Sequence, residues 1–112
     1  MKEFMAYLES KISEGKEEII TLEADGRKDD ANFAKVRTNI YDVCRTISRT
    51  LADKPGAGIV AIKAQLDRFR TGWNMALEKA KQHDDIKAVA VEETKLAALE
   101  DIIAHFSGVT GA

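Results

Sequence analysis

A stripe of apolar or small residues advancing by steps of three and four recurs four times along the chain. Each recurrence is long enough to mark an amphipathic helix. The first runs through Met5, Leu8, Ile12, Gly15, Ile19 and Leu22, and Asp25-Gly26 supplies a left-handed stop. The second runs through Phe33, Val36, Ile40, Val43, Ile47 and Leu51, after Asp29 or Asp30 as N-cap. The third carries Ile59, Ile62, Leu66, Phe69, Trp73, Ala76 and Ala80; the fourth carries Ile86, Val89, Glu93, Leu96, Leu99, Ile103 and Phe106. The breaks are Lys54-Pro55-Gly56-Ala57-Gly58, where proline and two glycines oppose a helix, His83-Asp84-Asp85, and Ser107-Gly108 at the end.

Helices expected near 2–25, 29–53, 58–82 and 85–107, joined by connections this short, must run antiparallel to their chain neighbours. A spacing near 3.5 then selects coiled-coil-like packing. The reading is all-α: one up-down-up-down antiparallel four-helix bundle spanning 1–112. The alternative is a set of helical hairpins that complete the core by dimerisation, because so narrow a stripe suits a second chain equally well. Bundle arithmetic with turns centred near 27, 56 and 83 sets Gly15 opposite Trp73 across the diagonal. The smallest and largest side chains would then meet, with Tyr41, Gly72 and Glu93 around them as packing or as walls of a mid-bundle pocket. Glu93, standing in the stripe, is expected to be partly buried.

Composition narrows function mostly by exclusion. With 32% charged residues and one proline in 112, the chain is neither low-complexity nor a Pro-rich linker. A single cysteine, Cys44, closes no internal bridge and reads as an inert thiol at the core boundary. No leader-like stretch opens the chain and no apolar run suits a membrane, so a cytoplasmic location is expected.

Charge follows the helices. Residues 2–25 sum to −4, residues 26–54 to +3, residues 55–82 to +3 and residues 83–112 to −4, for a total of −2. In an up-down bundle this order makes one side basic and the other acidic. Arg37, Arg45, Arg49, Lys63, Arg68 and Arg70 form a possible interaction face; the plainer reading is attraction within the 1–2 and 3–4 pairs.

The chemical motifs a helical bundle can host are incomplete. A di-metal carboxylate site needs Glu-x-x-His, yet Ala80 and Ile102 stand three residues before His83 and His105. Asp101 and His105, four apart, read as a surface ion pair. A mid-helix phosphorylatable histidine with lysine three residues on is absent. Glu14, Glu17 and Glu18 give one half of a helical diphosphate-hydrolase pattern whose Glu-x-x-Asp half is missing. No cofactor or metal is expected. The expected function is a non-catalytic protein–protein interaction or adaptor module, with a protein partner or self-association. One alternative is a magnesium-dependent hydrolase using Glu14, Glu17, Glu18, Glu92 and Glu93. The other is a nucleic-acid-associated regulator using the basic face, for which no motif speaks and against which the pI of 5.7 weighs.

Overall fold

Each helix begins and ends where local chemistry changes. Gly26 takes φ 72° after Asp25, and Arg27 N–H donates back to the Leu22 carbonyl at 2.9 Å, closing α1 (Lys2–Ala24). Helix α2 (Lys28–Ala52) starts one residue before the expected bound of 29. Neither caps it: Arg27 holds the N-cap position and pairs with Asp30 at 2.7 Å. Helix α3 is Gly58–Gln82, and α4 (Ile86–Thr110) opens on Asp85, whose carboxylate accepts from the Ala88 amide at 3.1 Å. Ser107-Gly108 does not stop α4. The left-handed Gly111, φ 75°, does, three residues further on. This computed structural model describes residues 1–54 and 57–112, so Pro55 and Gly56 of the expected midpoint break lie outside the described residues.

The four helices form the expected all-α bundle, with no strand among the described residues. Its cross-section is a rhombus rather than a square. Helix α2 packs on α1, α4 and α3, and α4 packs on α3, α2 and α1, whereas α1 and α3 do not approach one another among the described residues. The extents are 46 × 35 × 20 Å, and the radius of gyration of 15.1 Å exceeds the roughly 13 Å of a compact chain this long.

This cross-section overturns the Gly15–Trp73 pairing, because α1 and α3 are the two separated helices. Gly15 is buried against α2 instead. A Cβ on it would lie 2.1 Å from Thr38 Oγ1 and 2.9 Å from Thr38 Cγ2. The most deeply buried line of α2 is Ala31, Ala34, Thr38, Tyr41, Cys44 and Ser48, joined by Ile40 of the expected stripe, while Phe33, Val36, Val43, Ile47 and Leu51 are only half-buried. Small residues on that line let α1 come close, and close approach is why glycine stands at position 15. Cys44 is a core residue at 1% exposure rather than a boundary thiol, and burial pushes its pKa up to about 12. A thiol so protonated at neutral pH is a poor nucleophile.

The main core occupies one end. Phe4, Leu8 and Ile12 of α1 meet Ile40, Tyr41 and Cys44 of α2, Ile62 and Leu66 of α3, and Ala98 to Phe106 of α4. Phe4 and Phe106 sit edge to face with centroids 5.0 Å apart. Toward the other end only a small cluster survives, Leu22 with Ala31, Ala34 and half-buried Ile19, and it joins α1 to α2 alone. There α4 lacks cover: Ile86 is 84% exposed, and Ala88, Val89, Ala90 and Val91 are half-exposed. We call these the closed and open ends.

Ser48 gives a contained test of the closed end. Its hydroxyl is buried with no partner among the described residues, so Ser48→Ala should leave stability unchanged or raise it by up to about 1 kcal/mol in a urea titration. A loss above 1 kcal/mol would mean that the hydroxyl is bonded in solution.

Candidate functional site

The open end holds a groove between α2 and α4, which run parallel. Phe33 and Val36 of α2 and Val91 of α4 make its floor; Asp29 and Asn32 line one wall and Lys87 the other. The groove encloses about 340 Å³. Asp29 and Lys87 are each the second residue of their helix, so they stand at the same level on opposite walls. Neither has an ion-pair partner among the described residues. A larger hollow of about 630 Å³ follows the outer face of α3 from Asn74 to His83 and includes the 68%-exposed Met75, but all its lining residues come from that one helix and its C-cap.

The expected mid-bundle site is not assembled. Gly72 is exposed, with nothing within 4 Å of a Cβ built on it, and Gly15, Tyr41 and Trp73 lie on different seams. Trp73 stacks on Phe69 with centroids 5.0 Å apart and planes 2° apart, and Lys95 Nζ sits 4.7 Å from the indole centroid. Glu93 is exposed; its neighbour Glu92 is the inward carboxylate, with one oxygen 3.2 Å from Lys95 Nζ and the other buried without a partner. The error is rotational. Seven residues of α-helix fall about 20° short of two full turns, so Glu92 lines up with Leu99, whereas Glu93 stands about 120° away.

The six cations of the possible interaction face are mostly engaged. Arg37 donates to both oxygens of Glu18 at 2.8 Å and Arg49 reaches Glu9 at 3.5 Å, both from α2 to α1. Arg70 donates to Glu100 at 2.7 and 3.0 Å, from α3 to α4. Arg45 pairs with Asp42 and Lys63 with Asp67 on their own helices, and Arg68 donates to Gln65. Three of the six thus tie neighbouring helices and three pair within their own helix. Pairs this exposed stabilise by about 0–1 kcal/mol each.

Of the five glutamates that a metal-dependent reading would gather, Glu14, Glu17 and Glu93 are exposed, Glu18 is held by Arg37 and Glu92 faces Lys95. Helix α4 meets α1 near Phe4 and Tyr7, at the closed end, so these carboxylates stay apart. Among the described residues no three His, Cys, Asp or Glu side chains converge.

One cluster was not legible beforehand. Tyr7 of α1 and Tyr41 of α2 both donate hydroxyl hydrogen bonds to Asp101 Oδ2 of α4, the second at 2.7 Å. His105 lies flat on Tyr7 with centroids 3.8 Å apart, so Asp101 and His105 belong to a three-helix junction rather than a surface ion pair. Burial pulls the Asp101 pKa upward, but the two phenols, Lys11 and His105 together outweigh it and hold the carboxyl below its ordinary value. Burial and the bond to Asp101 push Tyr41 up to about 12, and the same causes raise Tyr7 further.

The signs give two pH tests. A raised phenol pKa contributes stability that is complete below pH 10 and is lost as pH climbs through 10 toward about 12. These are the only two tyrosines in the chain. At pH 11 the folded protein should show almost no tyrosinate absorbance at 295 nm, and guanidinium should release two equivalents; two freely titrating tyrosines near pH 10 would refute the junction. Asp101, lowered when folded, contributes stability that is present above about pH 4 and falls away below it. That acid-side loss should shrink in Asp101→Asn.

No helix is long and apolar enough to cross a membrane among the described residues. Compared with known proteins, the chain matches no protein-family model, no curated protein and no solved structure.

Proposed function

We propose that the protein is a non-catalytic protein-binding or adaptor module that works through its open end. One observation carries this reading: the first two turns of α4, from Ile86 to Val91, are apolar on nearly every side, yet none of those residues is buried. A helix apolar around its circumference needs cover on more than one face. The groove offers an apolar floor with polar rims, the usual composition of a protein-binding patch.

A photo-cross-linking residue at Val91 tests it inside cells of the native host. Adducts with a polypeptide should form from Val91 and not from Ser10, an exposed position on α1 at the closed end. Equal labelling from both positions, or none from Val91, would remove the open end as the binding surface.

A further inference from the structure

We propose that the groove between α2 and α4 takes a second copy of this chain, docked about a two-fold axis that runs along the bundle. This deepens the adaptor reading and rests on it, since it names the occupant of the same surface.

The argument is one of charge and direction. The groove has an acidic wall, Asp29, and a basic wall, Lys87, at one level, and both side chains lack an internal partner among the described residues. Helices α2 and α4 are parallel, so rotation by half a turn about an axis along them lays α2 of one copy opposite α4 of the other at unchanged height. Asp29 of each copy then faces Lys87 of the other, twice over. A two-fold across the helices would instead set α2 on α2 and leave both charges unmatched. An arbitrary partner helix has no reason to carry that pattern; the chain's own surface does.

The apolar floor fits the same arrangement. Phe33, Val36 and Val91 of the two copies meet on the axis, and each α4 gains the cover it lacks on that side. A net charge of −2 opposes self-association only weakly.

Light scattering and sedimentation over a concentration series test the pairing through charge reversal. The wild type should approach twice its 12.4 kDa chain mass. Asp29→Lys alone and Lys87→Glu alone should each weaken the dimer about tenfold, because two attractive pairs become repulsive in each case. An equimolar mixture of the two variants should form a heterodimer at least as tight as the wild-type dimer, since every pair is again opposite in sign, and one chain carrying both changes should recover as well. Both positions are exposed, so folding, followed by circular dichroism, should be unaffected. A dimer indifferent to both reversals, or weakened without recovery in the mixture, overturns the arrangement. A wild type that stays monomeric while the Val91 cross-linker still captures other polypeptides overturns the second copy and leaves the adaptor reading standing; a monomer that captures nothing overturns both.

Discussion

Phe106→Ala is expected to cost about 3–5 kcal/mol of stability, whereas Ile86→Ala on the same helix should change it by less than about 0.5 kcal/mol. Phe106 is completely buried among α4 and α1 side chains, edge-on to Phe4, so truncation removes its burial and leaves a cavity that a bundle can only partly close. Ile86 is 84% exposed and has almost nothing to lose. Urea titrations at a protein concentration low enough to keep the chain monomeric give both values. Comparable losses at the two positions would contradict the division into a closed and an open end.

Gly15→Leu should be the second severe change, at about 2–3 kcal/mol. The gain of up to about 1 kcal/mol from replacing a helical glycine does not offset overpacking against Thr38. Thr38 is β-branched, buried and stiff, so α1 and α2 must part to admit a larger side chain. Thr38→Ala in the same chain should recover a good part of the loss, since it clears the atoms nearest the new Cβ and removes a buried hydroxyl without a partner. Trp73→Leu should add independently, because α1 and α3 are not in contact among the described residues. Rescue by Trp73→Leu instead of Thr38→Ala would restore the square bundle and refute the rhombic one.

These two variants also mark where the sequence was readable. Helix number, order and connections follow from stripes and breaks, and Gly26 and Asp85 act as their residue types suggest. Which face of a helix is buried was harder. In α2 the stripe is right at Ile40, but most other buried positions are Ala31, Ala34, Thr38, Cys44 and Ser48, whose small or polar side chains carry little hydrophobic signal, while bulkier Val43 and Ile47 next to them drew the stripe one step round. In α4 the stripe stepped back from Leu99 by three residues twice, through Leu96 to Glu93, which turns it about 120° away from Leu99, whereas a seven-residue step reaches Glu92.

The Tyr7–Tyr41–Asp101 junction needed three helices in register at once. Part of it lay within reach: the antiparallel arithmetic that set Gly15 opposite Trp73, carried one helix further, sets position 7 of α1 beside position 101 of α4. What the arithmetic lacked was the short α2–α4 diagonal, which brings Tyr41 to the same carboxylate. That same diagonal leaves α1 and α3 apart among the described residues.

Residue-resolved hydrogen exchange in dilute, monomeric protein tests this division most directly. Amides of Leu99 to Phe106 should exchange only through global unfolding, and those of Val91 to Lys95, on the same continuous helix, should exchange faster by at least about a hundredfold through local opening. Equal protection along α4 in the monomer would contradict the account, because the first half of the helix would then be as well packed as the second and would have nothing left to offer a partner.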